Sequence, residues 1–116
     1  MALHVTGKNK LFTASSMTAT NYSSPFGVSS YIEGRIFISG DVASGTTVVP
    51  SCEQEDPASG LWFPRTDLSF TTWTGGSDQK QMATISNLGS RLRLKFTMTA
   101  AASPIANITA TFEGKT

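Results

Sequence analysis

Arg91-Leu92-Arg93-Leu94-Lys95-Phe96-Thr97-Met98-Thr99 alternates polar and apolar residues without a break. In an extended chain successive side chains point to opposite faces, so Leu92, Leu94, Phe96 and Met98 share one face and the charged and Thr residues the other. The stretch therefore reads as a β-strand with one buried side. Residues 107–113 repeat the pattern, with Ile108, Ala110 and Phe112 opposed to Asn107, Thr109, Thr111 and Glu113. The intervening residues 100–106, which contain Pro104, are short enough to predict an antiparallel hairpin of these two strands.

Earlier in the chain, residues 31–39 predict a strand with Ile32, Gly34, Ile36 and Ile38 inside and Glu33, Arg35 and Phe37 outside. Gly40-Asp41 and Ser44-Gly45 bracket a turn, and residues 46–52 form the next strand. Residues 53–60, with Glu53, Glu55, Asp56, Pro57 and Gly60, read as an exposed loop. Short strands follow at 61–63, 68–73 and 81–85, separated by Pro64 and by Gly75-Gly76-Ser77-Asp78, and Asn87-Leu88-Gly89-Ser90 turns into the strand at Arg91. Residues 1–30 differ in kind, with one candidate strand at 10–14 and then a Ser/Thr-rich stretch with dispersed apolar residues. The predicted division is an N-terminal arm over 1–30 and a β-sandwich domain over 31–116. About seven or eight short strands without helices predict an all-β, antiparallel β-sandwich, in preference to a small barrel.

The chain is 116 residues long, the size of one domain, and 15% of it is charged with a net charge of +1. A typical domain is about 25% charged. Here 31 Ser and Thr residues make up the polar surface instead. Without a Lys/Arg run, this balance argues against a strongly electrostatic nucleic-acid binder. The longest apolar runs are triplets such as Ile36-Phe37-Ile38, far short of the ~18 residues of a membrane helix. Met1-Ala2-Leu3-His4-Val5 lacks the basic head and apolar middle of a signal peptide, so the expectation is a protein made and kept in a cytoplasm. Neither nucleic acid nor membrane is an expected partner. The sequons at Asn21 and Asn107 read as unused.

Catalytic groups are sparse. A hydrolase triad needs a histidine base, and His4 is the single histidine. Glu53, Glu55 and Asp56 read as solvated loop acids. Their other reading is a hard-cation site, but Ca²⁺ takes about six to eight oxygens and no Asp-x-Asp-x-Asp-Gly pattern is present. No glycine loop of the phosphate-cradling type occurs. Cys52 is the single cysteine, which rules out an intrachain disulfide and reads as a small core hydrophobe. The expectation is a non-enzymatic protein with no cofactor and no metal.

The binding signals are Arg91, Arg93 and Lys95, two aromatic anchors, and the N-terminal apolar residues. The basic residues form a ridge that either faces solvent and discourages edge pairing or contacts an acidic partner surface. Trp62 and Trp73 read as core or subunit-interface anchors, with sugar stacking as the other use. Leu11, Phe12, Met17, Tyr22 and Phe26 are too dispersed to build a core alone. They suit a docking arm that orders on binding, or else residues 10–14 add an edge strand and the rest is surface loop.

Five runs together resemble a known family: Ile38-Ser39-Gly40; Ser44-Gly45-Thr46-Thr47-Val48-Val49-Pro50; Gly60-Leu61-Trp62-Phe63-Pro64; Leu88-Gly89-Ser90-Arg91-Leu92-Arg93; and Asn107-Ile108-Thr109-Ala110-Thr111-Phe112-Glu113-Gly114. In their order they resemble small β-sandwich accessory proteins of tailed-bacteriophage virions, over about residues 32–114. The resemblance implies a jelly-roll-like virion component, most directly a capsid decoration (cement) protein. It further implies the major capsid protein as partner, self-association as a homotrimer in preference to a dimer, and residence in the virion. The rival expectation is a tail or fibre accessory domain that recognises host-surface carbohydrate.

Overall fold

The computed structural model describes residues 5–17, 20–100 and 106–115. The elements in order are β1 (Val5–Met17), β2 (Asn21–Tyr22), β3 (Phe26–Gly27), β4 (Glu33–Glu55), β5 (Trp62–Pro64), β6 (Trp73–Ser86), β7 (Arg91–Ala100) and β8 (Ala106–Lys115). All pairings are antiparallel and all lie in one sheet, which curls into a half-barrel. The expectation of an all-β, antiparallel chain is met.

The 23-residue strand β4 is the spine. Its first half lies between β6 and β8, with Ile36 opposite Ala83 on one side and Phe112 on the other. Its second half lies between β7, where Cys52 faces Leu94, and a discontinuous flank made by the start of β6 and by β5. β1 pairs with the far side of β8, while β2 and β3 pair with β7. On either side of the corner in β4, and along β7 and β8, the even-numbered residues point inward. Ile36, Ile38, Val48, Cys52, Leu92, Leu94, Phe96, Ile108, Ala110 and Phe112 are all buried as a result, with Met98 half-buried beside them.

The bend between the two halves is a matched corner in two strands. On β4 the register shifts between Gly40 and Thr47, and Gly45 takes a φ of 84°. Facing it on β6, Gly75 (φ 72°), Gly76 (φ 117°) and Asp78 (φ 54°) all lie in the left-handed region, which glycine enters without steric cost. The Asp78 N–H donates to Asp41 Oδ1 at 2.9 Å and ties the corner together. A side chain at Gly40 would run into the Asn107 carbonyl of β8, so the backbones meet there only because the residue is glycine.

Several expectations are corrected. β7 and β8 do not form a hairpin. They run in the same direction, one after the other, along the same side of β4, with Thr46 opposite Ala100 and Val42 opposite Ala106. Alternation states that a segment is a strand and says nothing of its partner. The signals at Gly40–Gly45 and Gly75–Asp78 mark bulges inside continuous strands, because bulges require the same positive-φ residues as turns. Residues 68–72 are not strand, and Trp73 alone of that segment begins β6. Residues 53–55 extend β4 and leave 56–60 as the turn. Ile32 is 64% exposed because it precedes β4.

β1 is longer than the strand expected at 10–14 and pairs with β8 along its length. Val28 and Ser23 are buried, with the Ser23 hydroxyl accepting the Leu94 N–H at 2.8 Å, so residues 20–28 close one flank of the core.

Candidate functional site

The outward face of β7 turns its three cations toward solvent at alternate positions, and the neighbouring strands place two aromatic rings between them. β2 sets Tyr22 opposite Lys95. β5 sets Trp62 opposite Glu55, one strand further from β7. The Arg93 guanidinium lies 4.6 Å from the Trp62 ring and 4.5 Å from the Tyr22 ring. Arg91 approaches the same indole at 5.9 Å, and Lys95 the same phenol ring at 5.7 Å. The order along the face is therefore Arg91, Trp62, Arg93, Tyr22, Lys95, a ladder in which each ring serves two cations.

Two carboxylates complete it. Glu53 faces Arg93 directly across the β4–β7 ladder and accepts its Nε–H at 2.7 Å, and Glu55 lies 3.3 Å from Arg91 Nε. Each cation–π contact contributes about 0.5–1 kcal/mol at such a half-exposed surface, and the larger effect is geometric. Arg93 is gripped on both sides and at its Nε, so most of its side-chain freedom is already lost before any partner arrives. Lys95 has no carboxylate partner among the described residues, and the Arg91 side chain is 49% exposed.

The structure thus gathers Tyr22, Trp62, Arg91, Arg93 and Lys95 from the sequence candidates. It does not bring the others to that face. Trp73 is buried opposite Val48 in the core, since the inward pleat of β6 carries it there. Phe26 packs against Phe112 with ring centroids 5.4 Å apart on the inner side. Leu11, Phe12 and Met17 lie on β1 at the sheet edge, in register with β8 near Ala110 and Ala106. His4 lies outside the described residues.

Glu53 and Glu55 are residues whose role the sequence reading missed. The signal was present: Ser51, Glu53 and Glu55 continue the outward parity of the strand before them. Asp56 serves its own turn, accepting the Ser59 hydroxyl at 2.7 Å and the Ala58 N–H at 3.0 Å, and these bonds hold its carboxyl below the ordinary value. No acidic or thiol cluster suited to a metal occurs among the described residues.

Arg65 was also missed. Its guanidinium forks onto both Asp67 oxygens at 2.9 and 2.7 Å and donates to Gln54 Oε1 and to the carbonyls of Ser86 and Asn87. It clamps the ends of β4, β5 and β6 together behind the ladder, and its hydrogen bonds keep Asp67 well into the ionised form. Cys52 sits nearby at 1% exposure, and burial pushes its thiol up to about 12, so it is a packed, inert side chain.

No family model matches the chain, and no curated protein matches its sequence. The fold belongs to the all-β antiparallel class, with a solved counterpart. The crystal structure of SPBc2 prophage-derived protein YomS aligns over 99% of this chain and 100% of that one, with a TM-score of 0.57 at 16% identity. At that identity the likeness concerns the fold, and no residue role is carried across.

Proposed function

We propose that the chain is a structural component of a tailed-phage particle, and more narrowly a jelly-roll-like capsid decoration protein that binds the outer shell and stabilises the head. The observation that supports this reading is the end-to-end likeness to a prophage-derived protein, together with sequence runs that resemble virion accessory proteins. The physical character of the surface agrees with it. A cement protein needs a rigid scaffold and outward faces that meet a neighbour, and this sheet carries an ordered cation–aromatic strip on its outer face. Within this reading the partner is the major capsid protein, the resident location is the virion, and the chain associates with itself, as a trimer in preference to a dimer. Within residues 1–30, the stretch before Ser23 makes the first contact with the shell, since Ser23 and Val28 are buried in the core. That β1 has β8 as its one strand partner among the described residues supports this.

The test is to add purified chain to heads that lack it and to sediment the mixture. Saturable co-sedimentation at a fixed ratio to the shell subunit, with heads that withstand heating better, is the expected result. A chain that stays in the supernatant overturns the reading. Retardation by host polysaccharide in native electrophoresis instead points to a tail or fibre domain that binds carbohydrate.

A further inference from the structure

We infer that the Arg91–Trp62–Arg93–Tyr22–Lys95 ladder is a preformed docking strip for an acidic protein surface, one that presents carboxylates in a row. The inference deepens the decoration reading by naming the chemistry of the contact, and it rests on that reading only for the identity of the partner.

Three features of the strip converge on carboxylates. The first is an excess of donors. Arg93 uses Nε on Glu53 and Arg91 lies against Glu55 through Nε, while the terminal amino groups of both guanidiniums and the Lys95 ammonium have no protein acceptor among the described residues. A guanidinium edge left open in this way is the geometry that takes a carboxylate through two parallel N–H···O bonds. The second is spacing. Alternate residues of a strand are about 7 Å apart, so the three cations repeat at a step that an extended acidic segment with alternate carboxylates matches. The third is pre-organisation. Arg93 is sandwiched between two rings and tethered to Glu53, so docking does not have to freeze a loose arginine.

The same observations weigh against the other polymers that favour cations and aromatics. Sugar rings and nucleobases bind by stacking on open aromatic faces, but Trp62 and Tyr22 are each already engaged by two cations. Glu53 and Glu55 lie within the strip and would repel a continuous phosphate backbone, whereas a protein partner can place its carboxylates beside the cations and leave the glutamates uncontacted. Three cations on one strand also make a short track for nucleic acid.

The experiment uses the full chain in two arms. In the first, ¹⁵N spectra that resolve the Trp62 indole N–H and the arginine Nε–H groups are recorded with hexaglutamate, hexathymidylate and a neutral oligosaccharide in turn. The expected result is that hexaglutamate alone shifts the Trp62, Arg91 and Arg93 signals. The apparent affinity should fall several-fold between 50 and 300 mM salt, and at least tenfold in the R91E/K95E double variant, whose β-sheet circular dichroism should be unchanged. Equal binding by the variant, silence with hexaglutamate, or a stronger response to hexathymidylate or the sugar overturns the inference. Should the double variant fail to fold, the single variant Lys95→Gln, which removes a cation with no carboxylate partner, provides the same comparison.

In the second arm, wild type and R91E/K95E are sedimented with heads that lack the chain. Wild type bound and variant free is the expected outcome, while equal binding of both sinks the strip and leaves the decoration reading standing. A hexaglutamate response with no wild-type binding to heads sinks the decoration reading and leaves the strip standing.

Discussion

The two halves of β4 share an inner face and differ in their outer one. Ile36, Ile38 and Val42 of the first half and Val48 and Cys52 of the second are all buried, and each meets apolar partners on the strands beside it. Outside, the first half carries Arg35, Phe37 and Ser39 among Thr84, Met82 and Lys80 of β6 and Glu113, Thr111 and Thr109 of β8. Its ion pairs are loose, with Arg35–Glu113 and Lys115–Glu33 both at 3.8 Å. The second half carries Glu53 and Glu55 in close pairs, with arginines stacked on rings. The inner faces are alike because every curled sheet must fill its concave side. The outer face is free of that demand, so the ordered chemistry of the second half is information the fold itself does not require.

The largest effect is expected on the inner face, where a large side chain fills the core. Phe96 is fully buried and faces Pro50, and truncation of such a ring costs about 3–5 kcal/mol. Phe96→Ala should lower the denaturant midpoint by a corresponding amount. A folded F96A with an unchanged midpoint would show that the inward register assigned to β7 is wrong.

Next in size is the Arg65 clamp, which ties the end of the second half at Gln54 to the end of β6 at Ser86 and Asn87. Arg65→Ala removes charge-assisted hydrogen bonds to Asp67, to Gln54 and to the Ser86 and Asn87 carbonyls. A loss of about 1.5–3 kcal/mol is expected, the range for hydrogen bonds to a charged group. The loss should be local as well. Amide exchange at the β5 and β6 ends should rise, while the β4–β8 pairing keeps its protection. Uniform loss of protection would mean that the two halves are not separable in this way.

The inner face of this arrangement was legible in the sequence and its connectivity was not. Period-two alternation located β7, β8 and the inward residues of β4 because burial on one side leaves a mark at every second position. Glycine clusters at 40–45 and 75–78 were equally visible, but a bulge and a turn demand the same backbone angles, so one continuous spine read as two strands. Pairing of β7 and β8 to a common third strand has no local signature at all, and proximity in sequence suggested a hairpin instead. Of the outer site, the cations of β7 and the ring of Trp62 were identifiable as candidates. Their assembly with Tyr22 and Glu53 was not, since it depends on strands far apart in sequence, as the Ser23–Leu94 bond beside it, 71 residues apart, illustrates.

A smaller effect is expected on acidification. Hydrogen bonds from Arg65 hold the Asp67 carboxyl below its ordinary value of 3.8 in the folded chain. A depressed folded value means that the carboxylate's contribution is complete above the unfolded pKa and is lost as the pH falls through the folded one. Stability should therefore decline below about pH 4. Asp67→Asn should be slightly less stable at neutral pH and should flatten part of that decline, the effect being modest because Asp67 is exposed to solvent. An unaltered acid limb in the variant would assign the decline to other carboxylates.

The smallest effect is the one that sharpens the comparison most. If the outer face of the second half is a cooperative ladder, Arg93 and Trp62 should be energetically coupled, whereas the paired charges of the first half should be nearly independent. A double-mutant cycle over Arg93→Ala and Trp62→Leu should give a coupling of about 0.5–1 kcal/mol, the range for a cation over a partly exposed ring. The cycle over Arg35→Ala and Glu113→Ala should give about 0–0.5 kcal/mol, because that pair is long and solvated. Salt distinguishes the two further. The Arg35–Glu113 term should vanish in molar salt, while part of the Arg93–Trp62 term should survive, since the guanidinium is held against the ring by dispersion as well as by charge. Equal couplings in the two halves would remove the physical difference between the faces, and with it the reason to regard the second as the one shaped for a partner.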